Sequence, residues 1–213
     1  MPDVQLLLIA KAPVPGRVKT RLCPPATPVQ AAAVAAAALA DTVDALSVTP
    51  AVRRTIVLSG RYRVPAGWYG TAQRGDGLAQ RLANGFRDTA LPGTAALLVG
   101  MDTPQLTPEL LAGAAVALRG FDAVLGPAAD GGWWALGLRE PLHARVLTSV
   151  PMSTVDTGTM TLRALRGMGL RVALLSELRD VDTAADAHAV AALCPDGRFA
   201  AAVAAHLPVK VSR

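Results

Sequence analysis

Short apolar runs alternate along the chain with longer amphipathic or alanine-rich segments. Residues 4–10 form a run that is apolar except for Gln5 and ends at Lys-Ala-Pro-Val-Pro-Gly, which predicts a strand buried on both faces, as in a parallel sheet. The alanine-rich segment 29–46 predicts a helix. The same criteria predict strands at 52–58, 95–99, 123–125, 133–138 and 170–175, and helices at 78–91, 108–118, 157–168, 184–193 and 199–207. This order predicts an α/β fold with a mostly parallel sheet.

Length and composition narrow the class of protein. The chain has 213 residues and no internal repeat or flexible linker, so we expect residues 1–213 to form one domain. With 52% hydrophobic and 17% charged residues, the composition excludes a disordered chain. The apolar runs are shorter than the roughly 18–20 residues of a membrane-spanning helix, and no signal-peptide pattern is present. Cys23 and Cys194 show no pairing pattern, which favours a reducing compartment. Together with the short apolar runs, this leads us to expect a cytoplasmic protein without a membrane span.

The excess positive charge is concentrated in one segment. The formal net charge is +5, which by itself is compatible with nucleic-acid binding. No acidic residue lies between Asp3 and Asp41. That window contains four basic side chains within eleven positions: Lys11, Arg17, Lys19 and Arg21. The other basic residues are scattered and lack the interleaved aromatic residues of single-strand binders, so nucleic acid is disfavoured as a partner.

The basic segment 10–22 follows the first predicted strand, which is where open α/β sheets bind ligands. Of the chain's three lysines, two lie in this segment. Ammonium and guanidinium groups together suit a chain of phosphates. The alternative is a solvated basic loop, which gives no reason for four like charges without a compensating acid. We therefore interpret the segment as a phosphate-binding loop.

Carboxylates follow two later elements. Asp102 comes after the apolar run 95–99 and before Pro104, so we expect it at the same sheet edge as the basic loop. It suits Mg²⁺ or Mn²⁺, which take one or two protein carboxylates; capping of the next helix is disfavoured because that helix begins too far on. Asp180 and Asp182 precede a predicted helix, where metal binding and favourable charge at the helix N-terminus are both open.

A glycine-containing turn precedes the predicted strand at 133–138. It places Asp130 and Gly131 beside Trp133. A tight turn next to core aromatic residues explains most of this pattern. A pocket for an acceptor substrate is the alternative interpretation, and the residues themselves leave both open.

Several common catalytic arrangements are absent from the sequence. The three histidines have no metal-ligand spacing with each other or with the cysteines, which disfavours a zinc site. The sequence has no G-x-S-x-G and no Walker A loop. The nearest approach to a dinucleotide fingerprint, at 75–80, lacks its third glycine and does not follow the first strand.

Five segments in order, spanning nearly the whole chain, carry a resemblance to a known family. They are A-K-A-P-V-P-G-R-V-K-T-R-L (10–22), Q-R-G-D-G-L-A-Q-R-L (73–82), G-M-D-T-P-Q-L (100–106), L-G-P-A-A-D-G-G-W-W-A-L-G-L (125–138) and D-V-D-T-A-A-D-A (180–187). With them the chain resembles a family of small bacterial glycosyltransferases of the GT-A nucleotide-diphospho-sugar transferase superfamily, related to molybdenum-cofactor and phospholactate guanylyltransferases. The resemblance implies a single-domain GT-A-like, Rossmann-like three-layer sandwich.

The resemblance also implies roles for individual residues. Those that would bind the nucleotide are Lys11, Gly16, Arg17, Lys19, Arg21, Gln73, Asp76 and Gly100. Asp102 and Asp182 would hold Mg²⁺ or Mn²⁺, with Asp180 as a further candidate ligand. The sequence departs from the family pattern where Gly77 enters the second segment and where the last segment lacks the usual Pro and Glu.

The function implied is that of a metal-dependent transferase with a nucleotide substrate. The first interpretation is glycosyl transfer from a nucleotide-sugar to a small-molecule acceptor: Lys19 would stabilise the departing phosphates, and Asp130, beside Gly131 and Trp133, would orient or deprotonate the acceptor hydroxyl. The alternative is a nucleotidyltransferase that joins an NTP to a phosphorylated small molecule and releases pyrophosphate. A second alternative, a non-catalytic nucleotide-binding protein, is disfavoured by the number of carboxylates. The oligomeric state is not predicted.

Overall fold

The computed structural model describes residues 4–207, which build one seven-stranded sheet flanked by helices. In chain order the strands are β1 (Val4–Lys11), β2 (Arg53–Ser59), β3 (Tyr69–Ala72), β4 (Ala95–Gly100), β5 (Ala123–Pro127), β6 (Trp133–Leu138) and β7 (Val172–Leu174). Across the sheet the order is β3-β2-β1-β4-β6-β5-β7. The two pairs that involve β6 are antiparallel, and the other four are parallel. The predicted α/β fold with a mostly parallel sheet is confirmed.

Residues 4–207 also form six α-helices and two 3₁₀ helices, of which the last two α-helices follow the final strand. The α-helices are α1 (Pro28–Val48), α2 (Gly77–Thr89), α3 (Pro108–Ala117), α4 (Thr157–Gly167), α5 (Ala184–Leu193) and α6 (Arg198–His206) in the described part of the chain. The 3₁₀ helices are Thr20–Leu22 and Pro141–Ser149.

The two faces of the central strand β1 pack into different cores, because successive side chains of a strand point to opposite faces. Leu6 and Leu8 belong to one buried cluster together with Leu39 of α1. Leu7 belongs to another, together with Phe86 of α2. This two-sided burial explains why the run is apolar at nearly every position, and it gives the layered helix-sheet-helix arrangement.

Helix α1 is longer than the alanine-rich run suggests. It has 21 residues and begins with a capping box between Thr27 and Gln30. It is the one helix in residues 4–207 with the length and composition to cross a membrane, so the expectation that every apolar segment is too short is wrong. Leu39 and Leu46 of this helix are fully buried in the core beneath the sheet, which accounts for its apolar composition.

Three elements are not predicted by the sequence patterns: β3 and the two 3₁₀ helices, Thr20–Leu22 and Pro141–Ser149. β3 is a four-residue edge strand with mostly exposed positions, so it lacks an apolar alternation. The 3₁₀ helix Pro141–Ser149 has no α-helical periodicity to detect.

The next helix after β4 is capped by Thr107, whose Oγ1 accepts a hydrogen bond from the Leu110 N–H at 3.3 Å, so Asp102 has no capping role. The other predicted elements are confirmed, with ends that differ by a few residues.

Candidate active site

The carboxyl ends of the central strands open into a cleft of about 390 Å³. The predicted residues that line it are Lys11, Gln73, Gly100, Asp102, Asp130, Trp133, Asp180 and Asp182. A groove of about 270 Å³ lies next to it, and its predicted residues are Lys11, Arg17, Lys19, Arg21, Asp102 and Asp182. Lys11, Asp102 and Asp182 are common to both, so the two carboxylates stand between the cleft and the basic groove. Gly16, Asp76 and Gly131 line neither.

The basic loop turns back onto the sheet edge after β1. Gly16 adopts a φ of +75°, and Lys19 has a left-handed backbone with a φ of 47°. Left-handed backbone is uncommon for a residue other than glycine. This turn sends the Lys19 side chain inward, where it is only 7% exposed, whereas Lys11 and Arg17 remain exposed. In this loop, the Lys19 side chain therefore points into the protein, whereas the side chains of Lys11 and Arg17 point outward.

Lys19 binds the two carboxylates that the sequence predicts as metal ligands. Its Nζ lies 2.7 Å from Asp102 Oδ1 and 3.8 Å from Asp182 Oδ1, and it also donates to the Val181 carbonyl. Arg21 donates to Asp182 Oδ2 at 2.8 Å. The Val181 N–H donates to the Asp102 carbonyl at 3.0 Å, which joins the two carboxylate-bearing segments directly.

Asp180 is a partly buried carboxylate of the cleft. Its Oδ1 is buried and has no hydrogen-bond partner. Burial raises the pKa of Asp180 to about 7, and the negative charges of Asp102, Asp130 and Asp182 act in the same direction against the opposing charge of Lys19. A carboxyl group in this state is poorly compensated by its surroundings, which favours a cation nearby.

Gln73 has a fixed orientation at the end of β3. Its Nε2 donates to the Ala10 carbonyl at 2.8 Å and to the Val57 carbonyl at 3.1 Å. With both amide hydrogens engaged, Oε1 remains as an acceptor at the cleft. Asp76 is the N-cap residue of α2 but makes no side-chain cap, and it is exposed. The inserted Gly77 accommodates a φ of +76° at the start of that helix.

The turn between β5 and β6 brings Asp130 to the cleft. Asp130 Oδ1 accepts a hydrogen bond from the Gly132 N–H at 2.8 Å, which orients the carboxylate. Trp133 lines the cleft, while Trp134 is 2% exposed and donates to the Ser176 carbonyl. The buried Trp134 agrees with the interpretation as a turn beside core aromatic residues, and Asp130 lines the cleft. A pocket for an acceptor substrate stays a prediction.

Gly131 fastens this turn to the segment before α4. Its φ is +87°, and a Cβ at this position would lie 2.0 Å from the Val155 carbonyl oxygen. The Gly131 carbonyl in turn accepts a hydrogen bond from the Gly158 N–H at 2.8 Å. The glycine is therefore required by close backbone packing as well as by its conformation.

Replacing Gly131 by alanine should lower the free energy of unfolding by about 2–4 kcal/mol, because backbone atoms must move in addition to the left-handed strain. Gly169→Ala is the matched control: its φ is +78° and a Cβ there meets nothing within 4 Å, so about 1 kcal/mol is expected. Urea unfolding measures both. Equal losses in the two variants would contradict the close packing of Gly131.

Sequence reasoning missed part of the cleft. Met152, Ser153 and Thr154 line it from the segment that precedes α4, and Thr157 lines it from the first position of α4. Arg81 lines it from α2, where its Nε donates to the Gly75 carbonyl. Hydroxyl groups in a loop have no recognisable spacing, and Arg81 lies within a motif whose glycines draw attention first.

The carboxylates fit a divalent cation in number and type. Mg²⁺ and Mn²⁺ prefer oxygen ligands and use one or two carboxylates, completing their shell with water and substrate phosphate. Asp102 and Asp182 supply two, and the unpartnered oxygen of Asp180 lies in the same cleft. Within residues 4–207, no three carboxylate, imidazole or thiol groups are arranged as a ready-made metal site, and Lys19 Nζ contacts both Asp102 and Asp182.

The sheet order and the charged edge define the nucleotide-diphospho-sugar transferase-like Rossmann fold. A protein from Desulfovibrio desulfuricans G20, assigned by name only to the nucleotide-diphospho-sugar transferases, matches with a TM-score of 0.81 and 25% identity over 96% of this chain and 98% of that chain. Residues 31–154 match the family DUF2064, described as an uncharacterized protein conserved in bacteria. The chain belongs to this family. No curated protein matches it.

More distant solved structures share the fold. Rv0371c from Mycobacterium tuberculosis H37Rv, in complex with manganese, has a TM-score of 0.54 and 19% identity over 89% of this chain and 97% of that chain. CMP:2-keto-3-deoxy-manno-octonic acid synthetase complexed with CTP has a TM-score of 0.56 and 12% identity over 91% of this chain and 99% of that chain. The fold expected from the resemblance is confirmed, while a particular relationship to molybdenum-cofactor and phospholactate guanylyltransferases stays a prediction.

Proposed function

We propose that this protein is a divalent-metal-dependent transferase that moves a glycosyl group from a nucleotide-sugar to a small-molecule acceptor. The observation that carries the proposal is the position of Asp102 and Asp182 between a basic groove and a cleft. This is where a metal ion would meet a nucleotide's phosphates on one side and a second substrate on the other. The similarity to the Desulfovibrio protein over nearly the whole chain supports the class.

The phosphates of the nucleotide bind in the basic groove. Lys11 and Arg17 line it and have no carboxylate within ion-pair distance among the described residues, so their charges are available to an anion. Lys19 and Arg21 border it from their positions on the carboxylates. The Gly16 turn shapes the loop around the groove. Such charge stabilises a diphosphate as it departs, when its negative charge increases.

The nucleoside and the sugar occupy the cleft over β1, β3 and β4. Gln73 offers a fixed acceptor oxygen to an N–H or O–H group of the donor substrate, and Gly100 leaves room at the end of β4. Asp76, at the start of α2, lines neither the cleft nor the groove, so its contact with the nucleotide rests on the resemblance alone. Asp102, Asp182 and Asp180 would hold Mg²⁺ or Mn²⁺, and the chemistry that such an ion would supply there is neutralisation of the diphosphate charge.

The acceptor enters on the side of the β5–β6 turn. Asp130 is exposed, is oriented by the Gly132 N–H and faces the same cleft, so it can orient or deprotonate an acceptor hydroxyl. Trp133 forms an apolar wall, and Gly131 holds the turn in place. Lys19 and Asp130 are thus the proposed catalytic residues, one for the leaving group and one for the nucleophile.

Nucleotidyl transfer is the second candidate function. The fold is shared with a synthetase complexed with CTP, and the same groove and carboxylates would hold an NTP while an acceptor phosphate attacks its α-phosphorus. Pyrophosphate would then leave. The two functions differ in the nucleotide that should bind most tightly, which is an NDP-sugar for glycosyl transfer and an NTP for nucleotidyl transfer.

Thermal unfolding with Mn²⁺ and a panel of nucleotides tests the choice. An NDP-sugar at about 100 times its Kd should stabilise the protein by about 2.7 kcal/mol, or roughly 5–10 °C for a chain of this size. NTPs should stabilise less. A clear preference for one NTP, with pyrophosphate released on addition of acceptor, would establish the second candidate instead. Absence of stabilisation by every nucleotide would refute both.

A further inference from the structure

The Lys19 ammonium makes contact with three oxygens of the carboxylate site. They are Asp102 Oδ1 at 2.7 Å, Asp182 Oδ1 at 3.8 Å and the Val181 carbonyl, to which Nζ donates. An ammonium has three donors and no acceptor, so this environment matches its needs. The side chain is 7% exposed, which makes it an internal cation of the site and distinguishes it from the exposed Lys11 and Arg17.

The loop backbone is shaped to deliver this cation. Lys19 is held at φ 47° and ψ 39°, a conformation that a lysine adopts only when its surroundings compensate. Its carbonyl accepts the Leu22 N–H at 2.9 Å, and the Thr20 carbonyl accepts the Cys23 N–H at 3.1 Å. Arg21 adds a second ion pair to Asp182. The loop is thus docked on the carboxylates by two side chains.

A divalent ion and the Lys19 ammonium require the same oxygens. Mg²⁺ and Mn²⁺ bind carboxylate oxygens at about 2.0–2.2 Å, while Lys19 Nζ already lies 2.7 Å from Asp102 Oδ1. Two cations on one oxygen in a partly buried site repel each other strongly. Residues 4–207 contain no ready-made group of three metal ligands. Instead, the Lys19 ammonium occupies the space between the two carboxylates.

We propose that Lys19 is the positioning residue of the carboxylate site. Its ammonium holds Asp102 and Asp182 together while no divalent ion is bound, and it withdraws when the ion binds. Withdrawal frees the loop at 16–22 beside the groove and makes the Lys19 charge available to phosphate. This inference rests on the metal dependence in the proposed function, and it adds that metal entry and loop release are one event.

Mn²⁺ affinity without nucleotide, measured by electron paramagnetic resonance, tests the exchange. Lys19→Met should bind Mn²⁺ about 10- to 100-fold more tightly than the wild type, because a competing cation is removed. Arg17→Met is the matched control, since it removes the same charge from the same groove without a carboxylate contact, and its affinity should stay within about threefold of the wild type. If Lys19 had only a structural role, its replacement by methionine would not increase the affinity for Mn²⁺.

Hydrogen exchange of the wild-type protein gives a second readout that needs no variant. The Leu22 and Cys23 amides should exchange about tenfold faster with Mn²⁺ than without it, because loop release breaks their hydrogen bonds. Unchanged exchange, or equal Mn²⁺ affinity in wild type and Lys19→Met, overturns this inference and leaves the proposed function intact. Failure of both proteins to bind Mn²⁺ overturns the inference together with the metal dependence of the proposed function.

Discussion

Asp102→Asn is expected to abolish the Mn²⁺-dependent part of nucleotide binding and to slow transfer by about 10²- to 10⁴-fold. The amide keeps the shape of the side chain but cannot serve as an anionic metal ligand, and metal stabilisation of a departing diphosphate is worth several kcal/mol. The measurement is the thermal shift given by the nucleotide with Mn²⁺ and with EDTA. In the wild type the two shifts should differ, and in the variant they should coincide.

Asp196→Asn provides the control for this experiment. Asp196 is exposed in the connection between α5 and α6, so removing its charge should leave the Mn²⁺-dependent shift unchanged. If Asp102→Asn bound nucleotide as well as the wild type did in the presence of Mn²⁺, Asp102 would have no part in metal binding and the proposed site would be wrong.

Asp180→Asn should make the metal-free protein more stable, by up to about 4 kcal/mol at pH 8. Asp180 is largely buried, its Oδ1 has no partner, and burial raises its pKa to about 7. The folded protein therefore binds a proton that the unfolded chain releases above pH 4. For the wild type, the free energy of unfolding should fall between about pH 4 and pH 7 and level off above. In Asp180→Asn, which has no carboxyl group at this position, the free energy of unfolding should not show this fall.

Asp186→Asn is a control of opposite sign from the same segment. Asp186 accepts hydrogen bonds from the Thr183 N–H and hydroxyl, and it pairs with Arg179. Burial opposes these contacts, but together they lower the pKa of Asp186, so its contribution is lost as the pH falls. The variant should be less stable by about 1 kcal/mol at pH 8. Urea unfolding in EDTA measures both; destabilisation in Asp180→Asn would contradict the uncompensated burial of that carboxylate.

Much of the charged edge follows from the sequence alone. An apolar run followed at once by a polar residue marks a buried strand and its carboxyl end, so Lys11 and Asp102 were predictable neighbours. Asp180 and Asp182 were predictable as loop carboxylates, and their burial was not. The capping box between Thr183 and Asp186 illustrates the reason. A local sequence pattern predicts the bonds that a residue makes to its own helix, but it does not predict burial by segments that are distant in sequence.

The remainder of the site depends on contacts between distant segments. Lys19 and Asp182 are far apart in sequence, and nothing near Lys19 distinguishes an inward lysine from an outward one. β3 was missed because an exposed edge strand needs no apolar alternation. The hydroxyl-bearing segment at 152–157 packs closely against the β5–β6 turn at Gly131, and this contact between distant segments has no local sequence pattern. That residues 1–213 form one domain, and that the protein is cytoplasmic, stay predictions.

The one antiparallel strand of the described sheet, β6, makes the β5–β6 connection a hairpin at the binding edge, and the Ala129 N–H of its tip donates to the Leu178 carbonyl at 2.9 Å. β5 and β6 are joined by a hairpin, so residues 128–132 form a tip that no helix follows directly. The loops after β1 and β3, by contrast, lead into helices that pack on the sheet. Grafting hairpin tips from relatives, with the glycine at 131 retained, would exchange the proposed acceptor half of the cleft while the donor half and the strand order stay constant.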